Sequence, residues 1–192
     1  MMRALLILAL LSAIGGLCAQ VQLQACLGID SPGIQEFGAD GDRHRTNPGL
    51  SFSAEALYSA RADLHLGCGV EYQLLRATDA DWGGDPAFGF IPIFFSGKIG
   101  LPINCDVMPE MLLHIGYGFL TGNDDYIDEG DLTGGLYWGI GAGVVHKSGF
   151  TADLMFRRSK GAWEMDFSGY PFENDIIQHN LTLRLGYRFS IL

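Results

Sequence analysis

The 192-residue chain has no apolar run long enough for a transmembrane helix after its first twenty residues, since spanning takes about 18 or more such residues. Helical spacing of apolar residues is not sustained anywhere after that start, which excludes a helical bundle. Charged residues make up only 18 %, and Lys and Arg number 12 against 22 Asp and Glu, a net charge of -10. That balance repels phosphate, and no basic stripe exists, so nucleic-acid binding is excluded. Cysteine is scarce, and neither C-x-x-C nor His-rich spacing points to zinc. No metal site and no cofactor is expected.

The start itself is informative. MMRALLILALLSAIGGLCAQ carries one positive charge at Arg3, an apolar stretch from Ala4 to Ile14, and small residues up to Ala19. That is a secretory signal, with cleavage expected after Ala19, although Leu17 is unusual three positions before the cut. A lipoprotein cut before Cys18 is the rival, and it asks for a small residue where Leu17 stands. Residues 1–19 are therefore a cleaved signal and 20–192 one domain. The remaining cysteines are Cys26, Cys68 and Cys105. An odd number spread so widely is not a disulfide framework; small strand residues, a Cys26–Cys68 bridge or a metal ligand are the readings left.

Glycine is abundant, 27 residues, about double the usual share. Eight segments alternate with a period of two: Gln20–Ile29, Gly49–Ser59, Asp63–Arg76, Phe88–Leu101, Glu110–Leu120, Gly134–Lys147, Gly149–Ser159 and Gln178–Leu192. This is the strand signature. The connections Ala60–Ala62, Pro102–Pro109 and Ser148 are short; Asp30–Pro48, Ala77–Ala87, Thr121–Thr133 and Lys160–Ile177 are long. Short and long alternate, as tight periplasmic turns and long outer loops do in a membrane barrel. Sixteen of the 22 acidic residues fall in the four long segments, including GNDDYIDEGD at 122–131. That run lacks EF-hand spacing and reads as solvated loop, though such loops over an anionic lipopolysaccharide surface could share bridging divalent cations.

One parity of each strand is apolar, for example Leu64, Leu66, Cys68, Val70, Tyr72 and Leu74, or Leu181, Leu183, Leu185, Tyr187 and Phe189. The other carries Glu55, His65, Glu71, Lys98, His114, Asp153, Arg157, Arg184 and Arg188, with glycines between. In a soluble lipocalin-like barrel the bulky set would fill the interior and the charges would face water. Long strands and aromatics near strand ends (Tyr58, Tyr72, Tyr187, Phe189) instead suit lipid outside and charge inside. The expected fold is all-β, an eight-stranded antiparallel up-and-down transmembrane β-barrel, monomeric and in the outer membrane.

FIPIFFSGKIGLP, GGLYWGIGAGVV, FTADLMFRRS and LTLRLGYRF resemble the strands of small outer-membrane β-barrel domain proteins of the porin-family, OmpW/OmpX-like kind. The resemblance covers nearly the whole chain after the signal and includes no catalytic signature. It implies that Tyr187 and Phe189 form the signal read by the barrel-assembly machinery; here Ser190, Ile191 and Leu192 follow the aromatic, whereas the family usually ends on it.

An eight-stranded barrel has an interior that side chains can fill. Inward acids Glu55, Glu71 and Asp153 face bases Lys98, Arg157, Arg184 and Arg188, and buried charge must be paired. A charged plug is the leading expectation. Inward glycines (Gly67, Gly69, Gly116, Gly118, Gly139, Gly141, Gly143), with Leu75, Phe90, Phe94 and Leu120 near the outer mouth, leave either simple infill or a small apolar vestibule for hydrophobic solutes, as the OmpW-like resemblance implies. Catalysis would need a hydroxyl or histidine with partners at the rim. His44, Asp79, Asp81 and His179 lie there without a convincing serine, so the lipid A palmitoyltransferase and deacylase patterns are not met. The function expected is a non-enzymatic barrel of a Gram-negative-type envelope, in contact with outer-membrane lipids and lipopolysaccharide and serving envelope integrity or surface contacts. A narrow channel or binding barrel for small hydrophobic solutes is the alternative.

Overall fold

The computed structural model describes residues 21–37, 42–78, 87–101, 103, 105–122, 131–167 and 170–191. The expected signal at 1–19, Asp79 and Asp81, and most of the acidic run at 122–131 lie outside them. The strands are β1 (Val21–Asp30), β2 (Gly33–Phe37), β3 (Asp42–Thr46), β4 (Gly49–Ser59), β5 (Leu64–Gln73), β6 (Arg76–Ala77), β7 (Ala87–Gly100), β8 (Val107–Gly122), β9 (Asp131–His146), β10 (Phe150–Phe167) and β11 (Tyr170–Ser190). Eight of them, β1, β4, β5, β7, β8, β9, β10 and β11, pair in sequence order, and β11 returns to β1, so the antiparallel sheet closes. The seam runs from Gln22↔Ser190 to Asp30↔Thr182.

Alternation decides which face each side chain takes. On β11, Leu181, Leu183, Leu185, Tyr187 and Phe189 are exposed outward, whereas Thr182, Arg184 and Arg188 are buried. The same holds around the wall: Phe95 is 74 % exposed on β7 between buried Phe94 and Ser96, and Met111, Leu113 and Ile115 are exposed on β8. A continuous apolar exterior over a charged interior is the reverse of a water-soluble barrel and matches hydrocarbon outside. The tightest described turn follows His146: Gly149, at φ +100°, donates its N–H to the His146 carbonyl at 2.8 Å. A side chain there would meet the Arg188 carbonyl and the Tyr187 ring.

Several expectations change. The segment Lys160–Ile177 is not a loop: β10 and β11 remain paired out to Phe167↔Tyr170, while on its other side β10 pairs with β9 through an irregularity between Ser159 and Gly161. Its carboxylates hide the alternation, yet Trp163 and Ile176 are buried on the inward face. Within Asp30–Pro48, the β2–β3 hairpin adds to the outer part of β11; its five-residue strands are too short to stand out by period. Asp30 belongs to β1, and β8 begins at Val107, before Glu110. Strand β5 stops at Gln73, so Leu74 and Leu75 both lie outward and Arg76 turns inward. Cys26 is buried, while Cys68 is exposed on the other face; Cys26, Cys68 and Cys105 are all free. Opposite parities forbid the Cys26–Cys68 bridge.

Tyr187 and Phe189 stack at 6.4 Å between ring centroids on the lipid face, with Phe150 edge-on to Tyr187 at 5.2 Å. Neither ring enters the interior, so exchanging both for serine leaves the interior contacts intact. The expected outcome for Y187S/F189S is normal export and signal cleavage but loss of the chain from the outer-membrane fraction, read by cell fractionation. Wild-type insertion of the double variant would refute an assembly role for the two rings.

Candidate functional site: the charged interior

The interior is built in tiers along the barrel axis. Nearest the short turns, the Arg188 guanidinium donates to both Glu110 oxygens, at 2.8 and 2.7 Å. Its Nε and the Lys98 Nζ share the Gln24 Oε1, each at 2.9 Å. His65 stands beside this tier, its Nε2 at 4.0 Å from Glu110 and its Nδ1 at 3.0 Å from the Ser59 hydroxyl.

At mid-height Glu55 is the hub. Lys98 Nζ lies at 3.0 Å and Arg184 Nη1 at 3.3 Å, and Ser96 donates its hydroxyl at 2.8 Å. Arg184 turns the rest of its guanidinium to Asp153, with Nε at 2.6 Å from Oδ1 and Nη2 at 3.2 Å from Oδ2. The pairing of β10 with β11 sets Asp153 directly opposite Arg184, whereas Glu55 reaches it across β1 from β4. Beside the hub, the Phe94 ring stacks on His114 at 4.1 Å, and the Tyr137 hydroxyl is 3.5 Å from His114 Nδ1.

Further out, Arg157 pairs with both Glu71 and Asp30. Thr182 donates to Asp30 at 2.7 Å, Gln73 to Glu71 at 2.9 Å, and Arg76 lies 3.7 Å from Asp30. With its amide oxygen turned inward, Asn180 accepts from Arg157 at 2.8 Å and from Arg76 at 3.2 Å. Above this tier Phe37, Phe88, Phe90, Leu120, Trp163 and Ile176 close over the charges as an apolar roof, with Leu132 packed against them.

Among the described residues, five carboxylates (Asp30, Glu55, Glu71, Glu110, Asp153) thus alternate with five cations (Arg76, Lys98, Arg157, Arg184, Arg188), all buried. Glu55, Glu71, Lys98, Asp153, Arg157, Arg184 and Arg188 follow from parity alone. Asp30, Arg76 and Glu110 do not: Asp30 and Glu110 sit at segment ends, and Arg76 is inward only because β5 breaks. One weak signal was available for Glu110, since inward His114 is four residues away on the same strand. Glu110 holds both terminal nitrogens of Arg188.

The four residues proposed for an apolar vestibule separate. Phe90 and Leu120 belong to the roof, Phe94 lies lower against His114, and Leu75 is 42 % exposed on the outside. Inward glycines give room to large neighbours: a β-carbon at Gly69 would lie 2.8 Å from both the Phe94 ring and Glu55, and one at Gly141 would lie 2.7 Å from Met155. They accommodate bulk rather than leave a void. At the rim, His44 packs edge-on to Phe37 at 5.5 Å, and His179 stacks on Phe156 at 6.1 Å with Glu36 at 3.8 Å.

This architecture has counterparts among solved structures. The crystal structure of the outer membrane protein OprG from Pseudomonas aeruginosa is similar with a TM-score of 0.60, at 10 % identity, over 90 % of this chain and 97 % of that one. The fold is that of the small outer-membrane β-barrels. Outer membrane protein AlkL, determined by solid-state NMR in lipid bilayers, is similar with a TM-score of 0.56 at 12 % identity, over 89 % of this chain and 91 % of that one. The chain matches no protein-family model, and its sequence is similar to no curated protein. An outer-membrane barrel of this kind keeps its charge inside and its apolar belt in lipid, and both features are present here.

Removing one member of a buried pair strands the other, at a cost of about 3–5 kcal/mol, whereas an exposed pair contributes about 1 kcal/mol or less. Arg184→Ala is therefore expected to lower thermal stability in detergent by the larger amount, since it strands Asp153 and leaves Glu55 with Lys98 as its one close cation. Asp106→Ala, which removes only the exposed partner of Lys147, is the comparison and should leave the melting temperature nearly unchanged. Equal melting of the two variants would show that Arg184 is not held in a buried network.

Proposed function

We propose that this chain is a non-enzymatic, monomeric integral protein of a Gram-negative-type outer membrane, closed through its middle by a charge plug and acting at its outward surfaces in envelope integrity or external contacts. One observation carries this reading: carboxylates and guanidinium or ammonium groups interlock in three successive tiers along the barrel, from Glu110–Arg188 through Glu55–Lys98–Arg184–Asp153 to Arg157–Glu71–Asp30. Ions crossing such an interior must displace paired charge in a low-dielectric setting. Planar-bilayer recording is expected to find the wild type without a steady open state, and R157A/R184A with raised single-channel conductance. A wild type as conductive as that variant would overturn the plug.

A second reading, a binding or transport barrel for small hydrophobic solutes, draws on the apolar roof of Phe37, Phe88, Phe90, Leu120, Trp163 and Ile176. Those side chains fill the outer mouth themselves, which favours the closed reading. Should the roof be an entry site, Phe90→Ala would raise uptake of an apolar fluorescent probe by proteoliposomes; under the closed reading uptake stays at the level of protein-free vesicles for both proteins.

A further inference from the structure

Two histidines lie inside the barrel among the charges. His65 and His114 are both buried, and each sets a ring nitrogen near a carboxylate of the plug, His65 Nε2 at 4.0 Å from Glu110 and His114 Nε2 at 3.8 Å from Glu55. Among the described residues the five buried carboxylates and the five buried cations cancel. The interior is therefore neutral only while both imidazoles are uncharged, and an unanswered charge in a low-dielectric setting is costly.

The two rings differ in what surrounds them. His65 stands at the first residues of β5, beside the turn that carries Asp63. Ser59 of β4 and Lys98 of β7 oppose it, and its Nδ1 lies 3.0 Å from the Ser59 hydroxyl. His114 is enclosed at mid-height. Strand β8 sets it between Ser96 of β7 and Gly139 of β9. The Phe94 ring covers one face at 4.1 Å, with the planes 15° apart, and the Tyr137 hydroxyl is 3.5 Å from Nδ1. Its Nε2 has no hydrogen-bond partner among the described residues.

Charge reaches the His114 ring from four strands: Glu55 on β4, Lys98 on β7, Arg157 on β10 and Arg184 on β11, with the Tyr137 phenol on β9. Three cations and one carboxylate thus face it, and the carboxylate is already engaged by Lys98 at 3.0 Å, Ser96 at 2.8 Å and Arg184 at 3.3 Å. An imidazolium there needs either Glu55, drawn away from Lys98, or water let in from an end of the barrel. Either change undoes the mid-height tier. We propose that His114 makes the plug acid-sensitive: the ring is uncharged while this tier is closed and takes up a proton as the tier opens, so acid shifts the barrel toward its open form. The state that binds the proton better gains population as pH falls, by up to about tenfold per pH unit for one proton below the ordinary histidine range near about 6.5. The outer tier of Arg157, Glu71 and Asp30 holds no histidine among the described residues, so acid acts on the lower interior and leaves that tier in place. This inference rests on the reading of the interior as a plug.

The test removes the outer tier first. R157A is refolded in detergent, checked for heat-modifiable gel migration, and recorded in planar bilayers at about pH 7 and about pH 5.5, an interval in which ordinary carboxylates keep their charge. Its ratio of open to closed time is expected to rise about tenfold on acidification. R157A/H114Q should change by less than about twofold, because glutamine takes up no proton over that interval. R157A/H65Q and R157A/H146Q, the latter altered in the turn beside Ser148, should follow R157A. An acid response that survives in R157A/H114Q, or one that is lost in R157A/H65Q instead, would overturn the proposal. If the R157A proteins do not refold, imidazole nitrogen NMR of the wild type in micelles decides, since a charged His114 ring in the folded barrel at about pH 7 contradicts the proposal and a neutral ring agrees with it. A wild type that conducts steadily at about pH 7 refutes the plug itself, whatever its acid response, which separates the two failures.

Discussion

The seam between β1 and β11 is the constraint on which the rest depends. In hydrocarbon an unpaired strand edge leaves a row of N–H and C=O groups with no water to accept or donate, so a sheet spanning a membrane must close. Closure here also joins side chains: Gln24 on β1 takes the Arg188 Nε, and Asp30 takes the Thr182 hydroxyl, from residues that β11 places beside them. Once the sheet is a ring, alternation has one meaning. Every second side chain is committed to lipid and its neighbours to an interior that water barely enters.

That commitment explains the composition of the interior. A ring of eight strands is narrow, so a charge placed inside must find its opposite within reach of a single side chain. Glu55 meets both Lys98 and Arg184, and Arg157 meets both Glu71 and Asp30, because the ring folds strands far apart in sequence into facing positions. Glycines then act as the complement of bulk: Phe94, Met155 and Asp153 occupy space that a β-carbon at Gly69, Gly141 or Gly143 would contest. Paired charge and fitted volume together stiffen the interior below the roof, where Leu57, Phe94, Leu112, Tyr137 and Met155 are buried among the charges.

The outer end obeys a different rule. Beyond the lipid belt β10 and β11 continue as a ribbon, widened by β2 and β3. Water can satisfy those edges, so this part of the sheet need not close. Arg43, Arg45, Arg158 and Lys160 also lie on this part of the sheet, next to the belt.

The strand period, the number of spanning strands and the inward identity of Glu55, Glu71, Lys98, Asp153, Arg157, Arg184 and Arg188 were legible in the sequence, because a period of two survives any choice of partner. The outward set was legible for the same reason. Partners were not: Arg188 takes Glu110 from β8, across the barrel, and which acid it reaches depends on stagger and closure that no local pattern records. Arg76 and Leu75 defeat a parity count because β5 breaks before them, and the outer ribbon is masked by its own carboxylates, which tolerate water at a height where lipid no longer selects. Lipid determines the strands residue by residue, so the sequence by itself carries them; pairing energy inside the ring depends on distance across it, so only the tertiary structure decides which charges pair.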